Sequence, residues 1–293
     1  MDVQTRPVAI AAAMGRDQAA RGRLACVLRQ LGYEEGDMTN ATATLAASGR
    51  GARIAVALAW TGLVLAAACG FAELLAGLGY RWEWWHFRTG IQILRWSATT
   101  DLAAVVLTVA AAILAYRHGA RRAFAASVSG LALALVVAGP PLYHWRLVDQ
   151  VPRIHDISTD SENPPRFVAV LPLRQGAENP VDYSAEVAAQ QKQAYLDIAP
   201  AMLDVPPAQA FARAERAARA MGWDIVAVAP GDLRIEATDT TLLFGFKDDI
   251  VVRVTPSGNG SRVDVRSLSR VGRSDFGVNA NRIRKFLRQL AGA

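Results

Sequence analysis

Residues 54–80 read IAVALAWTGLVLAAACGFAELLAGLGY and contain a single charged side chain, that of Glu73. At about 1.5 Å of rise per residue, a helix of this length crosses a hydrocarbon core of roughly 30 Å with some tilt. Two more apolar stretches follow at 102–116 and 123–143, and uncharged residues from Trp96 onward lengthen the first of these. The sequence therefore predicts three transmembrane helices.

The aromatic residues around these stretches favour a membrane location over buried helices of a large soluble protein, because amphipathic rings prefer the water–lipid interface. They are Trp82, Trp84, Trp85, Trp96 and Trp145. Prolines lack the amide hydrogen that a helix needs, so Gly139-Pro140-Pro141 predicts the end of the third helix. We expect residues 81–101 to form a loop, which leaves Glu73 as the one carboxylate inside the membrane.

Basic residues predict the orientation, because Lys and Arg are retained on the cytoplasmic side. Residues 117–122, RHGARR, form the most basic short connection, and Arg50 and Arg53 precede the first span. Both positions are expected inside the cell. The 81–101 loop and everything after Trp145 then lie on the other side. We expect a multi-pass protein of the cell inner membrane with a periplasmic C-terminal domain.

Composition divides the chain into four parts. Residues 1–50 form either a cytoplasmic amphipathic helix or the product of a misassigned start, since Met38 leads directly into the first span. The three-helix region is 51–145, and 146–165 is a linker rich in Pro, Asp and Ser. Residues 166–293 form a small domain. We expect the chain from about residue 150 onward to fold alone.

The last part combines short apolar runs with turn residues. Leu233, Ile235 and Ala237 alternate with polar residues, which is typical of a strand with one buried face. Strands are predicted at 166–173, 223–229, 233–238, 242–246, 250–255 and 262–268, helices at 183–195, 206–221 and 278–290, and turns at 230–232, 247–249 and 257–260. The predicted fold class is a membrane-anchored α+β protein, in which an antiparallel sheet carries helices on one face.

Motifs for catalysis are scarce. The four histidines, His86, His118, His144 and His155, lie in or beside the membrane half without an accompanying cysteine, so we expect no metal site. The sequence has no Gly-x-Ser-x-Gly elbow, P-loop or dinucleotide fingerprint, and we expect no catalytic residue and no cofactor. Asp248-Asp249 is either a carboxylate pair for acid–base chemistry or an ordinary turn.

Two segments resemble a known family. Residues 241–249, TLLFGFKDD, and 266–283, RSLSRVGRSDFGVNANRI, are similar to the domain of unknown function family fourteen ninety-nine of bacteria and plastids. The resemblance covers roughly residues 146–293, and the three-span front half resembles the longer bacterial members. It implies a fold and an envelope or membrane-linked setting but no reaction.

The second segment also offers groups that suit an anion, because guanidinium groups and helix N-termini attract phosphate or carboxylate. The candidate ligand-binding residues are Arg266, Ser267, Ser269, Arg270, Ser274, Asn279 and Arg282. We expect Arg266 and Arg270 to lie together beside Asn279. In the structural alternative, Asp275 and Asn279 cap the last helix and the arginines pair with Asp248, Asp249 or Asp264.

Charge distribution bears on partners, since residues 250–293 carry nine Lys plus Arg against two Asp plus Glu. Besides the lipid bilayer itself, anionic lipid or another envelope protein suits such a basic end. No nucleic acid is expected across the membrane. The leading hypothesis is a non-enzymatic domain that binds a ligand, lipid or protein. The alternatives are an enzyme of unfamiliar chemistry, using Asp248/Asp249 and Arg266/Arg270, and a transporter accessory subunit.

Overall fold

Three long helices occupy the first half of the protein. The computed structural model describes residues 35–148 and 150–292. The helices are α1 (Glu35–Arg81), α2 (Phe87–Arg117) and α3 (Arg121–Val148). Each contains a stretch long and apolar enough to cross a membrane, and these stretches are Gly49–Arg81, Phe87–Arg117 and Arg121–Arg146. The prediction of a multi-pass membrane protein is confirmed. Most of the predicted N-terminal segment, residues 1–34, lies outside the described residues.

Two helix boundaries differ from the prediction. α2 begins at Phe87, so the predicted 81–101 loop is wrong and Asp101 lies well inside a helix. Charged residues on one face of a helix interrupt an apolar run without ending the helix. The sequence prediction took this interruption for a loop and therefore placed the start of α2 too late. α3 continues through Pro140 and Pro141 to Val148. Each proline removes one amide hydrogen bond and crowds the carbonyl four residues before it, but the helix continues across both positions.

The chain forms two compact units. The bundle unit contains the described part of 1–72 together with 95–139, and the domain unit contains 73–94 and 140–292. Small side chains are buried between the helices of the bundle unit: Ala55, Ala59, Ala66, Ala104, Ala111, Ala115, Ala123 and Ala134. Close backbone approach through small residues is the usual way in which membrane helices pack.

The domain unit is built on an antiparallel sheet. Its elements are β1 (Asp156–Ser158), α4 (Ala185–Ala194), β2 (Ala201–Leu203), α5 (Pro207–Ala220), β3 (Asp224–Ala229), β4 (Arg234–Thr240), β5 (Lys247–Ser257), β6 (Gly260–Ser269) and α6 (Val278–Ala291). The strand order is β1-β6-β5-β4-β3, and β2 pairs with the other half of β6. This arrangement confirms the predicted membrane-anchored α+β fold.

Both faces of the sheet are covered. α5 and α6 pack on one face, where Phe211, Ile283 and Phe286 meet residues such as Ile250 and Val265. The opposite face carries Val251 and Leu268, and the irregular segment 160–183 covers it through Phe167 and Val170. Side chains of alternate residues on each strand therefore enter two different layers.

The segment 166–173 was predicted as a strand, and this is wrong. It is irregular and leads into a short 3-10 helix at Leu171–Arg174. The amides of Val168, Ala169 and Val170 donate to the fully buried carboxylate of Glu236 at 2.9–3.0 Å instead of pairing with a strand. A buried carboxylate needs such donors, and they fix the segment over the sheet.

Three further assignments change along the domain unit. Residues 242–246 form a turn rather than a strand, and 247–249 begin β5 rather than forming a turn. β1 lies inside 146–165, the segment predicted as a linker. The remaining division into domains, including independent folding from about residue 150, stays a prediction.

Candidate functional site

One cluster of the candidate residues lies under α6. Asn279 accepts a hydrogen bond from the Ser267 hydroxyl at 2.7 Å and donates to the Ser269 hydroxyl at 2.9 Å. Arg282 donates to both Ser267 and Asn279, and it forms ion pairs with Asp248 at 2.6 Å and Asp239 at 2.8 Å. We call these six residues the helix-face network. It joins the start of α6 to the adjacent ends of β4, β5 and β6.

A second cluster lies on the opposite face of the sheet. Arg270 binds Asp249 through two hydrogen bonds of 2.9 and 2.8 Å, and Arg174 binds the same carboxylate at 2.5 Å. Arg266 binds Asp156 in the same bidentate manner at 3.0 and 2.7 Å. We call these five residues the arginine network. Burial lowers the pKa of Arg174, and the Asp249 carboxylate opposes this shift.

The expected grouping of Arg266 and Arg270 beside Asn279 is therefore wrong. Residues alternate between the two faces along β6, so Ser267 and Ser269 point towards α6 while Arg266 and Arg270 point away from it. The structural alternative describes the contacts better. The Asp275 carboxylate accepts hydrogen bonds from the backbone amides of Gly277 and Asn279 at 2.9 and 2.7 Å. Arg270 forms an ion pair with Asp249. Ser274 lies apart, 3.5 Å from the Pro152 carbonyl.

The same alternation separates the candidate carboxylate pair. Asp248 belongs to the helix-face network and Asp249 to the arginine network. The two carboxylates consequently sit on opposite faces of β5, and each is already paired with a guanidinium group. An external anion at Arg266, Arg270 or Arg282 would have to compete with these internal carboxylates. The anion-binding role of those residues stays a prediction.

An open groove of about 730 Å³ lies beside the end of α3. Its apolar lining residues include Val148, Val151 and Val187, and its charged ones include Arg153 and Arg273. Ser184 and Glu186 also line it at the N-terminus of α4, where Ser184 accepts the amide of Val187 at 3.2 Å. The groove therefore offers both apolar contact and hydrogen-bond donors to one ligand.

The two groove arginines differ from those of the networks. Arg153 and Arg273 are exposed, and neither has an ion pair or hydrogen bond among the described residues. Glu186 is a carboxylate in the same groove, but it does not bind either of them. Two guanidinium groups are thus free to bind an anion without displacing an internal partner.

Two polar atoms near the groove also lack hydrogen-bond partners among the described residues. They are Nδ1 of His155, which lines the groove, and the hydroxyl of Tyr195, which is 8% exposed. A Cβ atom at Gly277 would lie 3.5 Å from that hydroxyl and 3.7 Å from Val151, so Tyr195 sits close behind the groove wall. Burial and the nearby Asp275 raise the pKa of Tyr195, which keeps the hydroxyl protonated as a donor.

Comparison with known families identifies the second half of the chain. Residues 156–290 match the family described as "Protein of unknown function (DUF1499)". They form a DUF1499 domain. The match confirms the resemblance carried by residues 241–249 and 266–283. No curated protein and no solved structure matches the chain.

Sequence reasoning missed most of the groove, which combines residues 148–155, before the DUF1499 match, with residues inside it. Arg153 and His155 fell in the predicted linker, and Tyr195 was counted only as the end of a helix. Arg273 lies inside the second family segment, between Arg270 and Asp275, but nothing distinguished it from its paired neighbours. The distinguishing property is a position in the groove combined with the absence of a partner among the described residues, and only the folded arrangement reveals it.

Proposed function

We propose that this protein is a membrane-anchored, non-catalytic binding protein that holds its DUF1499 domain on the periplasmic side of the inner membrane. The groove beside α3 takes a ligand that combines an anionic group with an apolar part. The observation that carries this proposal is the pair Arg153 and Arg273, which have no ion pair or hydrogen bond among the described residues and line the same groove as Val148, Val151 and Val187. Anionic lipid is one source of such a ligand, and a modified envelope protein is another.

The chemistry of the groove supports this ligand class. Guanidinium groups bind phosphate or carboxylate through paired hydrogen bonds, and the amides at the start of α4 attract negative charge. Val151 and Val187 provide contact for an alkyl chain. The position supports a membrane-derived ligand too, since the groove begins at Val148, two residues after the end of the third span at Arg146.

Hexyl phosphate is a suitable probe, because it carries one phosphate and a short apolar chain. We expect it to bind the full-length protein in nanodiscs, as measured by isothermal titration calorimetry. The double variant Arg153→Gln/Arg273→Gln removes two charged hydrogen-bond donors, worth about 1.5–3 kcal/mol each, and should weaken binding at least about a hundredfold.

The matched control is Arg216→Gln, which removes an exposed arginine of α5 that has no ion pair among the described residues. It should leave the affinity unchanged. Inorganic phosphate and hexanol each lack one half of the probe and should bind more weakly than hexyl phosphate. Equal affinity of the double variant and the native protein would refute the groove as the site.

The orientation has its own test. A reporter that is active only in the cytoplasm, fused after Ala293, should be inactive if the DUF1499 domain lies in the periplasm. The same reporter inserted in the 117–122 loop should be active. The opposite pattern would place the domain inside the cell and remove the envelope setting from the proposal.

A further inference from the structure

The Thr241–Phe246 loop of the DUF1499 domain packs against the turn between α1 and α2, within the domain unit. Arg81 donates a hydrogen bond of 2.6 Å to the carbonyl of Leu242. The Phe246 ring lies 5.3 Å from Tyr80 and 6.1 Å from Phe87, measured between ring centroids. The family segment at 241–249 therefore joins the domain to the ends of two membrane helices.

Two glycines make room for this loop. A Cβ atom at Gly77 would lie 3.1 Å from the carbonyl carbon of Leu243 and in closer contact with its side chain. A Cβ atom at Gly90 would lie 2.5 Å from the Ala76 carbonyl oxygen of α1 and 3.0 Å from the Phe244 ring, so this glycine makes room for the neighbouring helix as well as for the loop. Both glycines are buried. We call the recess formed by Gly77 and Gly90 the glycine notch, and it holds Leu243 and Phe244 against the helices.

Leu242 remains outside the notch and is 89% exposed. Trp82 and Trp84 follow Arg81 in the sequence. Trp82 is 51% exposed, Trp84 is 61% exposed, and their ring centroids lie 5.0 Å apart. Arg81 thus binds the backbone of an exposed leucine of the domain and is followed within three residues by two exposed tryptophans. Large apolar side chains in such a group are seldom left in water.

The position of the turn indicates what covers this surface. α2 has 31 residues and is therefore about 45 Å long, which matches the thickness of a bilayer with both headgroup regions, about 40–45 Å. The ends of α1 and α2 then lie at the headgroup level. Tryptophan and arginine are the residues that membrane proteins place at this level.

We propose that Leu242, Trp82 and Trp84 form a lipid-contacting surface that enters the interfacial layer of the bilayer. Through Leu242, the DUF1499 domain then contacts lipid beside the turn between α1 and α2, away from the groove at Arg153 and Arg273. The contact fixes the height of the domain above the hydrocarbon core. The glycine notch holds the loop at the depth that this contact needs.

A nitroxide label at residue 242 tests this surface. Leu242→Cys is made in the full chain after Cys26→Ser and Cys69→Ala, labelled, and placed in nanodiscs. Accessibility is then measured to oxygen, which concentrates in lipid, and to a nickel chelate, which stays in water. The matched control is Met202→Cys on β2, where the native side chain is 61% exposed.

We expect the label at 242 to be reached several-fold better by oxygen than by the nickel chelate, and the label at 202 to show the reverse preference. Equal behaviour at the two positions would overturn the proposal. Protection of residue 242 from both reagents would overturn it as well, because a protein partner or second copy would then cover the surface.

A second variant tests the notch. Gly77→Ala should displace the loop and shift the label at 242 towards the water-soluble reagent, whereas Gly139→Ala has no atom within 4 Å of the new Cβ and should change nothing. An unchanged label in Gly77→Ala would show that the notch does not set the depth of the loop.

Discussion

Asp101 in the bundle unit and Asp249 in the domain unit are both fully buried, but their surroundings differ. Asp249 lies between Arg174 and Arg270 and also accepts a hydrogen bond from Thr238 at 2.8 Å. Neither carboxylate oxygen of Asp101 has a hydrogen-bond partner among the described residues. Two guanidinium groups compensate Asp249, whereas no group among the described residues compensates Asp101.

This difference separates structural polar groups from functional candidates. Paired carboxylates such as Asp249 stabilise the arrangement of the β-strands. Removing one partner of such a pair leaves the other as a buried charge without compensation. An unpartnered carboxyl group lowers stability, so its presence in a membrane helix points to a role other than stability. Arg153 and Arg273 are a different case, because they are exposed and an unpaired exposed arginine carries little cost; the groove that they line together is what makes them candidates.

The largest expected effect comes from the arginine network. Asp249→Asn leaves the buried guanidinium group of Arg174 and the partly buried one of Arg270 without this shared counter-charge. We expect the free energy of unfolding of the domain unit to fall by about 3–5 kcal/mol. Urea titration of the full chain in detergent, followed by near-ultraviolet circular dichroism, measures this loss.

The control for this change is Glu215→Gln, which removes an exposed ion pair with Arg219 on α5. Such pairs contribute only about 0.3–0.5 kcal/mol. If Asp249→Asn lowers the free energy of unfolding no more than Glu215→Gln does, the arginine network contributes little to folding.

A smaller effect of opposite sign is expected in the bundle unit. Asp101→Leu replaces an unpartnered buried carboxyl group by an apolar side chain, and we expect a gain of about 1–3 kcal/mol. Thermal unfolding in nanodiscs measures the change, and Ala104→Leu, at another fully buried site of α2, controls for added volume. Destabilisation by Asp101→Leu but not by Asp101→Asn would show that this position needs a polar group.

The smallest effect concerns Asp160, which contacts Arg253 and Arg262 at the surface of the domain. Burial alone would raise the pKa of Asp160, but the amides of Asn163 and Glu162 and the two guanidinium groups together hold it below its ordinary value. The stabilisation is therefore present above the unfolded pKa of about 3.9 and is lost as the pH falls through the folded value.

Urea titrations at several pH values of the native chain and of Asp160→Asn check this sign. The difference in free energy of unfolding between the two chains should be constant near neutral pH and should shrink below about pH 4. A difference that grows on acidification would contradict the assignment.

The sequence predicted the membrane half and the order of most domain elements, because long apolar runs and period-two alternation are local properties. α5, β4 and α6 were found within one or two residues of their boundaries. The failures share a cause. Residues 166–173 and 242–246 are apolar enough for strands, but Glu236 and the glycine notch, both distant in sequence, determine their backbone.

The candidate site shows the same limit. The alternation that correctly identified β4 also implies that Arg266 and Ser267 face opposite sides of β6, so their separation was predictable. The pairing of Arg266 with Asp156 was not, because the two residues are 110 positions apart and Asp156 was taken as linker. The groove combines residues from that segment, from α4 and from the second family segment, and no local pattern connects them.

The glycine notch has a consequence for biosynthesis. Arg81 and Leu242 are separated by 161 residues, so α1 and α2 are made long before the loop that fills the notch. At about 5–20 residues per second, the helices wait roughly 10–30 s for their partner segment. During that interval the recess at Gly77 and Gly90 stands open to lipid and to other nascent chains. A chain that stalls or terminates before residue 242 leaves it permanently unfilled, and such products present quality-control proteases with a feature that the finished protein hides.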